Sequence, residues 1–471
     1  MSGIMKMLAR EIAQACGGRI LRGDPEREVT FVTTDSRAVG PGALFVPIVG
    51  ERVDAHRFLP GAVKDGAAAV LTQQPEAGCP EGICAWIAVE DTRTALQQIA
   101  GAYRARFSIP VVGVTGSVGK TTTKEMLALA LSAERNVMKT EGNFNSQLGV
   151  PLTVFRLLPE HEAAVIEMGM SQFGEMARLA QVVKPTCAVM TNIGISHIEN
   201  LNTQENIRAE KLHITDAFTT DSVLFLNGDD PLLAQLRGTL PFRIITFGMQ
   251  PWCEVHAEQT VSFGGTTKFI AVSDEFRIPV TLPVPGGHNV LNALAALAVS
   301  QYLGVSPQRA AERLQTYSPP AMRQQLHKVG GITIIDDSYN ASPDSMRSSV
   351  NILMDLKGSG RAIGVFADML ELGDYSRQAH FDAGVYAATR GIDALFVIGE
   401  QAQEIRWGAI SAECQLPVFS YLSNEQALHK LLEYLRPGDV VVVKGSRGMK
   451  TDEIVRGLLE HVGETVPAAT V

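Results

Sequence analysis

The sequence of 471 residues predicts an α/β protein of three domains. Strand-like apolar runs alternate with amphipathic helical patterns along most of the chain, and such alternation is typical of βαβ units with parallel sheets. A Ser-Pro-Pro turn at residues 318–320 interrupts the alternation before it restarts. The length also exceeds what one hydrophobic core usually supports. We therefore expect a small N-terminal α/β domain over residues 1–88, a central parallel-sheet domain over 89–318 and a C-terminal Rossmann-like α/β domain over 319–471.

The N-terminal stretch carries short β-like runs between helical segments. The runs are ALFVPIVG, AAAVLTQQ and CAWIAVE, and the turns are rich in glycine and proline, as at residues 39–42. Taken alone, this stretch contains no group of residues that indicates a chemical reaction.

The central stretch carries three apolar runs, PVVGV, AAVIEM and CAVMTNI, and each is followed by a helical pattern. Residues 252–282 break this rhythm with shorter and more polar β-like runs, which we interpret as an antiparallel excursion. The helical pattern returns over 289–299. These features predict a mostly parallel sheet with an antiparallel addition.

The C-terminal stretch repeats the alternation with ITIIDD, RAIGVFA, DALFVIG and DVVVVKG, each followed by a helical pattern. This predicts a second parallel α/β domain. The turn at 318–320 is then both the linker to this domain and the expected hinge.

The composition indicates a well-packed globular protein, with 45% hydrophobic and 19% charged residues. The net charge of -9 argues against a general nucleic-acid binder, so an anionic ligand has to be held by local donors. No coiled-coil pattern or large apolar surface indicates an oligomer, and we expect a monomer.

The cysteines and the N-terminus point to a soluble cytoplasmic protein. No cysteine pair has the spacing of a metal site, and we expect reduced thiols. The N-terminus lacks the apolar core of a signal peptide, and no run approaches the roughly 20 apolar residues of a membrane span. The six cysteines are Cys16, Cys79, Cys84, Cys187, Cys253 and Cys414.

A phosphate-binding loop is predicted at residues 115–122, which read T-G-S-V-G-K-T-T. The loop follows PVVGV and opens a helical pattern, so its backbone N–H groups can surround an anion at the positive end of a helix. The lysine can reach the β- and γ-phosphates of a nucleotide, and the threonine after it can ligate Mg²⁺. The predicted nucleotide-binding residues of the loop are Thr115, Gly116, Ser117, Val118, Gly119, Lys120, Thr121 and Thr122.

The loop departs from the generic pattern at one position, because Val114 stands where a glycine is usual and the glycine is Gly113 instead. The alternative is a glycine-rich turn with an incidental Lys-Thr pair. The coincidence of strand, loop, Lys-Thr pair and helix argues against that alternative. Switches, kinases, helicases and ligases all use phosphate loops, so other residues must decide the reaction.

Two candidate metal ligands follow neighbouring strand-like runs. Glu167 ends AAVIEM, and His197 comes after CAVMTNI. Because the carboxyl ends of parallel strands meet at the ligand-binding edge, both side chains can lie beside the phosphate loop. The alternatives are a glutamate in solvent and a structural histidine. Lys211 lies on a helical pattern, where a lysine is by default a solvated surface charge.

Together these motifs resemble those of the Mur ligases, the ATP-dependent amide ligases of peptidoglycan synthesis. The loop is similar to that family's form of the phosphate loop, which accounts for Val114. T-D-S-R at 34–37 and GALFVPIVGERVDAHRF resemble its uridine-nucleotide-binding part, and TEGNFNSQLGVPLT resembles the lining of its substrate channel. PGGHNVLNAL, DDSYNASPDSM, FADMLELG and VKGSR complete the match.

The resemblance implies a particular reaction, and DDSYNASPDSM is the segment most specific for it. The expected enzyme is ADP-forming and joins D-alanyl-D-alanine to UDP-N-acetylmuramoyl-tripeptide through an acyl phosphate. The implied cofactors are ATP and two Mg²⁺ ions, with carbamylated Lys211 as a ligand of the second ion. The departures from the family pattern are His213, Ser146, Ser342 and Ala367, which could tune the site without changing the reaction.

The resemblance also assigns roles to individual residues. The implied catalytic residues are Lys120, Glu167, His197 and Lys211, and the implied metal ligands are Thr121, Glu167, His197 and Lys211. Beyond the loop, the nucleotide is expected to contact Asn289, Asn292, Arg323 and Asp337. The substrates are expected to contact Ser36, Arg37, Asn143, Asn145, Ser338, Tyr339, Asn340, Ala341, Ser342 and Pro343.

Three questions stay open at this level. A ligase that adds the third peptide residue, or a folylpolyglutamate synthetase, would share the phosphate loop and metal residues but not DDSYNASP together with MLELG. A phosphate-loop regulator would need neither a second metal site nor a uridine-nucleotide domain. The base that deprotonates the incoming amine is not assigned, and His380 is either that base or a structural histidine.

Overall fold

A computed structural model describes residues 5–75, 82–412 and 415–465. It contains one large sheet in each of the three predicted domain ranges, with helices packed between and around them, and this confirms the predicted α/β class. The exact domain boundaries remain a prediction. Cys79 and Cys414 lie outside the described residues, and Cys16, Cys187 and Cys253 are free thiols. In the described ranges, no helix is long and apolar enough to cross a membrane.

The N-terminal part is a mixed five-stranded sheet and a separate strand pair. The elements are β1 Met7–Leu8, α1 Ala9–Ala15, β2 Arg19–Arg22, β3 Glu28–Val29, β4 Phe31–Thr33, β5 Ala43–Phe45, α2 Leu59–Lys64, β6 Ala69–Thr72 and β7 Ala85–Ala88. The sheet order is β2-β7-β6-β5-β4, parallel except for β2, while β1 pairs with β3.

The central part is a nine-stranded sheet with helices on both faces. Its elements are α3 Thr92–Arg104, β8 Val111–Thr115, α4 Lys120–Leu131, β9 Val137–Lys139, α5 Gly149–Val154, β10 Ala163–Glu167, α6 Glu175–Val183, β11 Cys187–Met190, α7 Ile198–Leu201, α8 Gln204–Leu212, β12 Val223–Asn227, α9 Pro231–Ala234, β13 Arg243–Gly248, β14 Val255–Phe263, β15 Thr266–Val272, β16 Arg277–Leu282, α10 Gly287–Tyr302 and α11 Pro307–Leu314. The order is β16-β15-β14-β13-β12-β11-β8-β10-β9.

The pairing in this sheet confirms the predicted antiparallel excursion. Strands β8 to β13 are all parallel, and β14 still joins β13 in parallel before β15 and β16 turn back. Strands β8, β10, β11 and β12 are buried along their whole length, because helices cover both faces of the sheet. Their carboxyl ends form the edge that carries the predicted loop and Glu167.

The C-terminal part is a six-stranded sheet. Its elements are β17 Gln325–Val329, β18 Ile332–Asp336, α12 Pro343–Leu356, β19 Ala362–Ala367, α13 Ser376–Thr389, β20 Ala394–Ile398, α14 Gln403–Ser411, β21 Val418–Tyr421, α15 Asn424–Tyr434, β22 Val440–Lys444 and α16 Asp452–Thr465. The order is β17-β18-β22-β19-β20-β21, and only β17 is antiparallel to its neighbour.

The hydrophobic cores join two of these parts and separate the third. One cluster contains Ile12 of α1 together with Leu96 and Ile99 of α3 and Ile166 of β10, so it runs from the N-terminal part into the central part. The C-terminal part has clusters of its own on the two faces of its sheet. The described chain therefore packs as an N-terminal and central body with a C-terminal domain set against it.

Candidate functional site

A cleft of about 500 Å³ lies between the central and C-terminal parts. The predicted site residues that line it are Ser117, Val118, Gly119, Lys120, Thr121, Thr122, Asn145, Glu167, His197, Asn292, Arg323, Asp337, Tyr339, Asn340, Ala341 and Ser342. The predicted residues outside this lining are Ser36, Arg37, Thr115, Gly116, Asn143, Lys211, Asn289, Ser338 and Pro343. Residues that are more than 150 positions apart thus meet at one cleft.

The phosphate loop has the geometry of an anion site. Gly119 adopts a φ of +85°, which a glycine tolerates, and α4 begins directly after it. Among the described residues no side chain caps α4, so the N–H groups of its first turn remain available to an anion. Lys120 Nζ donates to the carbonyls of Gly116 (2.8 Å) and Ser117 (3.3 Å), so the ammonium already lies over the loop.

The loop is held in place by the segment that follows β11, a contact that sequence inspection missed. The side-chain oxygen of Asn192 accepts from Val118 N at 2.8 Å, and the Thr191 hydroxyl donates to Val118 O at 2.5 Å. Gly116 is also required here, because an added Cβ would stand 1.9 Å from the Thr191 hydroxyl. The TN pair of CAVMTNI was visible in the sequence, but nothing in it indicated a contact with the loop.

Thr121 and Glu167 lie together at the cleft with oxygen atoms of the kind that bind a divalent cation. The Thr121 hydroxyl lies 3.1 Å from Glu167 Oε1, which also accepts from Asn145 Nδ2 at 2.7 Å. Glu167 is only 1% exposed, and its Oε2 finds no hydrogen-bond partner in the described part of the chain. A buried carboxylate oxygen without a partner is costly unless a ligand or cation satisfies it. The donor set therefore fits Mg²⁺, which takes few protein oxygens and completes its shell with phosphates and water.

A second lysine of α4, Lys124, lies behind this carboxylate. Its ammonium is fully buried, donates to Thr140 O at 2.7 Å and lies 2.9 Å from Glu125 and 3.8 Å from Glu167 Oε2. Burial alone would raise the pKa of Glu125, but the Lys124 and Lys139 ammonium groups outweigh it and hold that pKa below its ordinary value. The sequence offered only its place one helical turn after Lys120, and no motif distinguished it from a surface lysine.

Lys211 is not a surface residue. It is 1% exposed on α8, and its Nζ donates to Gly116 O at 3.1 Å, the carbonyl that also accepts from Lys120. Burial, followed by the neighbouring Lys120 ammonium, holds the pKa of Lys211 well below its ordinary value. The backbone N–H groups of Gly174 and Met176 donate to the adjacent Glu210 carboxylate, whose charge opposes this lowering of the Lys211 pKa only in part.

His197 meets the C-terminal domain at the rim of the cleft. Its Nδ1 lies 2.5 Å from Glu371 Oε2, and this hydrogen bond is the main cause of a lowered pKa for Glu371. His197 lines the cleft on the same side as Glu167, as the sequence predicted. Within the described ranges, no group of three His, Cys, Asp or Glu side chains forms a ready-made metal cluster.

The C-terminal wall of the cleft is held by a buried ion pair. Asp337 Oδ2 accepts from Lys444 Nζ and from the Ser349 hydroxyl, both at 2.6 Å. Lys444 also donates to Asn340 O at 2.9 Å, which fixes the loop after β18. Arg323 lies with its guanidinium 4.0 Å from the centre of the Tyr339 ring, so it is stacked at the mouth of the cleft.

The two predicted asparagines of α10 lie behind the loop. Asn292 lines the cleft, accepts from the Thr123 hydroxyl at 2.9 Å and approaches Gly119. Asn289 is buried and donates to Pro285 O at 2.7 Å and, at 3.4 Å, to the side chain of Gln324. It therefore connects α10 to the linker and makes no part of the cleft surface.

The remaining predicted residues lie apart. Arg37 is exposed in the N-terminal part and paired with Asp35 at 2.7 Å, while Ser338 is buried and donates to Asp336 at 2.5 Å. His380 is buried on α13, where its Nε2 accepts from Met369 N at 2.8 Å and its Nδ1 lies 2.7 Å from Ser376 O. Both ring nitrogens are therefore occupied, which supports the structural alternative for His380.

The remaining positions follow from the same geometry. Ser36 lies next to Arg37 in the N-terminal part, and Asn143 is exposed near Asn145. Pro343 begins α12 and lines a smaller neighbouring cavity of about 240 Å³. Thr115 is the buried last residue of β8.

Three family models match consecutive parts of the chain. They are described as Mur ligase family, catalytic domain, over residues 28–104; Mur ligase middle domain, over 114–300; and Mur ligase, glutamate ligase domain, over 322–447. The first gap between them, residues 105–113, contains the start of β8, and the second, residues 301–321, contains α11 and the linker. Together the models match most strands of the three sheets, and β1, β2 and the first residues of β8 lie outside them.

Full-length relatives and solved structures agree with these matches. The chain is 38% identical over 461 residues to UDP-N-acetylmuramoyl-tripeptide–D-alanyl-D-alanine ligase of Bacillus subtilis, which covers 97% of this chain and 99% of the relative. The protein of the same name from Escherichia coli is 32% identical, with 91% and 94% covered. The crystal structure of MurF from Acinetobacter baumannii superposes with a TM-score of 0.90, at 29% identity and coverage of 97% and 100%. MurF ligase from Thermotoga maritima in complex with ADP gives 0.82, at 28% identity and coverage of 92% and 98%. With identity at this level along nearly its whole length, the chain belongs to the Mur ligase family.

Proposed function

We propose that this protein is the ATP-dependent ligase that joins D-alanyl-D-alanine to UDP-N-acetylmuramoyl-tripeptide, with release of ADP and phosphate. The observation that carries the proposal is the buried Glu167 carboxylate, one oxygen of which has no hydrogen-bond partner among the described residues, beside a phosphate loop and opposite the C-terminal wall of the cleft. The relatives that carry this name match the chain from end to end. The reaction belongs to peptidoglycan precursor synthesis.

The chemistry requires activation of a carboxylate. A carboxylate does not condense with an amine in water, because its charge resists attack and oxide is a poor leaving group. Transfer of the γ-phosphoryl group of ATP to the tripeptide carboxylate gives an acyl phosphate. The free amine of the dipeptide then attacks the carbonyl carbon, and phosphate leaves from the tetrahedral intermediate. Catalysis of such steps is mostly positioning and charge neutralisation.

Residues on both walls of the cleft contribute to this positioning and charge neutralisation. The first turn of α4 donates N–H groups to the phosphates, and Lys120 moves from the carbonyls of the loop to the β- and γ-oxygens. Arg323 and Asp337 contact the nucleotide from the C-terminal wall. The loop from Tyr339 to Ser342 lines the same wall, which supports the segment from Ser338 to Pro343 as the part that receives the incoming dipeptide.

Thr121 and Glu167 would hold one Mg²⁺, and His197 with Lys211 would hold a second. Bound magnesium ions supply charge neutralisation on the phosphate oxygens. Burial and the neighbouring Lys120 ammonium lower the pKa of Lys211, which favours the neutral amine that attack on carbon dioxide requires. In that step an N–C bond forms, one C–O π bond of carbon dioxide opens to give a carboxylate, and the nitrogen loses one proton. The resulting carbamate replaces a buried cation by an oxygen ligand.

The substrate proposal is tested by measuring phosphate release with each substrate omitted in turn. We expect turnover only with ATP, the UDP-linked tripeptide and the dipeptide together. Lys120→Ala should lower kcat by at least about 10²- to 10³-fold, because a charge-stabilising donor is lost at the phosphoryl group. ATP turnover without the dipeptide would instead favour a regulator, and turnover with a single amino acid would favour a third-residue ligase.

The carbamate proposal has its own test. Lys211→Ala should be inactive and should regain part of its activity with added short carboxylic acids, which can occupy the vacated ligand position. A Lys211→Ala enzyme that keeps full activity would contradict any role of this residue in the site. Lys64, at the C-terminal end of α2, provides a surface control, and Lys64→Ala should behave like the unaltered enzyme with or without the acids.

We further propose that the enzyme works in the cytoplasm as a monomer. The proposed substrates, ATP and a UDP-linked peptide, are cytoplasmic nucleotides, and the sequence carries no coiled-coil pattern that indicates an oligomer. Light scattering at micromolar concentration should give a mass near 50.7 kDa. A mass near twice that value would contradict the monomer.

A further inference from the structure

One hydrogen bond joins the rim of the cleft across the two domains. His197 follows β11 in the central part, and Glu371 follows β19 in the C-terminal part. Their side chains meet at 2.5 Å between Nδ1 and Oε2. The histidine side chain is 25% exposed, so the contact lies at the edge of the cleft and not in either core.

The backbone at both residues is unusual in the same way. His197 has a φ of +64° and Glu371 a φ of +63°, a region that residues with a Cβ avoid at a cost of about 1–2 kcal/mol each. Two such residues in one contact show that the surrounding loops determine both conformations. The result is that two strained residues, from different domains, place their side chains against each other.

The loops that carry them are packed together beyond the hydrogen bond. Gly373 lies so close to α7 that an added Cβ would stand 3.3 Å from Glu199 Cβ. Ile195, two residues before His197, packs against the hydrophobic clusters of both the central and the C-terminal parts. The loop that carries Glu371 therefore packs against the loop that carries His197 in this arrangement of the two domains.

We propose that Glu371 is a positioning residue that sets the imidazole tautomer of His197 when the C-terminal domain closes. By accepting the Nδ1 proton, the Glu371 carboxylate fixes the imidazole tautomer and leaves Nε2 with a free lone pair. Carboxylate partners of this kind orient histidine ligands and raise their basicity in many metal sites. The inference rests on the proposed function, because the lone pair matters only if His197 holds a cation there.

The consequence is an ordered assembly of the site. Glu167 and Thr121 belong to the central domain alone, so their half of the site exists in any domain arrangement. The His197 half acquires its tautomer only when Glu371 arrives with the C-terminal domain. The chain thereby delays completion of the site until the domain that brings the incoming amine is in place.

The direct test measures the tautomer and not the activity. Long-range ¹H–¹⁵N spectra of the full chain, labelled at its histidine rings, are recorded at about pH 8.5, where an ordinary imidazole is neutral. The His197 signals are assigned with His197→Gln. We expect the Nδ1–H tautomer in the unaltered protein and a shift toward the Nε2–H tautomer, which free histidine prefers, in Glu371→Ala. Glu371→Gln keeps an acceptor oxygen and should retain the Nδ1–H tautomer.

The second measurement is the Mg²⁺ requirement. In Glu371→Ala, the Mg²⁺ concentration for half-maximal rate should rise roughly 10- to 100-fold, the range for loss of a partner of a metal-bound histidine. Asp374→Ala is the matched control, since Asp374 is an exposed acid of the same loop, and it should change neither quantity. If Glu371→Ala does not fold, Glu371→Asp replaces it, because the shorter side chain keeps the charge but cannot reach Nδ1 of His197. The same change of tautomer and the same rise in the Mg²⁺ requirement are then expected.

Several results would overturn the proposal. These are an unchanged tautomer in Glu371→Ala, an equal shift in Asp374→Ala, a changed tautomer with an unchanged Mg²⁺ requirement, or lower activity with neither quantity altered. Failure of the unaltered protein to ligate its proposed substrates is a different result. It would remove the proposed function, while the tautomer spectra would still decide whether Glu371 fixes His197.

Discussion

Leu96, Ile99 and Tyr103 of α3 are buried in a hydrophobic cluster that runs without a break from the N-terminal part into the central part. The Tyr103 hydroxyl also donates to Leu157 O at 2.7 Å. The junction between the central and C-terminal parts is different, because charged and polar groups such as Lys120 and Asp337 line it around an open cleft. One junction is closed by apolar packing, and the other is bridged mainly by polar contacts, with Ile195 as an apolar contact between the two parts.

The difference indicates which parts move. Apolar burial is lost as a whole when packed surfaces separate, so the N-terminal and central parts should move as one body. Polar interdomain contacts exchange for contacts with water at lower cost, as in hinge closure around a ligand. The reacting groups would then meet at the junction that opens, and the other junction would keep the substrate that we propose binds the N-terminal part in register with the phosphate loop.

The largest expected effect on the free energy of unfolding comes from breaking the Lys444–Asp337 ion pair behind the polar junction. Lys444→Met leaves Asp337 buried without its cation, and loss of one partner of a buried pair costs about 3–5 kcal/mol. The loss should appear in the unfolding of the C-terminal part, followed in urea by the fluorescence of Trp407 on α14. Lys444→Arg keeps the charge and should lose clearly less. Equal stability of the Met variant and the unaltered chain would contradict the pairing.

The next effect tests the apolar junction. Leu96→Ala removes a fully buried side chain and should cost about 2–5 kcal/mol. If the N-terminal and central parts are one body, the fluorescence of Trp86 should report this loss and that of Trp407 should not. Each tryptophan is followed in a variant whose other two are phenylalanine. Gln98→Ala, at an exposed position of the same helix, should change neither transition. A shift of both transitions by Leu96→Ala would show that all three parts unfold together.

The polar junction also separates the features that could be predicted from the sequence from those that could not. The fold class, the antiparallel excursion at 252–282 and the cluster of Lys120, Thr121 and Glu167 were all predictable, because each depends on periodicity or on where a residue follows a strand. The burial of Lys211 could be inferred only from the family resemblance, since its helical pattern alone indicates a surface residue.

Contacts between distant segments were not predictable from local patterns. Lys124 and Glu371 look like ordinary charged residues, and their roles depend on loops that are brought together only by the tertiary fold. Asn289 shows the reverse case, since a motif residue expected at the nucleotide lies behind the cleft, where it bonds Pro285 and Gln324. Sequence spacing tells which edge of a sheet a residue occupies, but not which neighbour reaches it from another domain.

The smallest expected effect concerns residues 321–324, which lie between the linker turn and β17. Met322 and Gln324 have φ values of +61° and +58°, whereas the described residues 85–110, which connect β7 to β8 through α3, contain no positive φ. Met322→Gly and Met322→Ala both remove the side chain, and only glycine adopts this φ without strain. The glycine variant should therefore be more stable than the alanine variant by about 1 kcal/mol, measured by urea unfolding at Trp407. A glycine variant no more stable than the alanine variant would mean that the linker is unstrained in solution, and the two junctions would then differ only in what lines them.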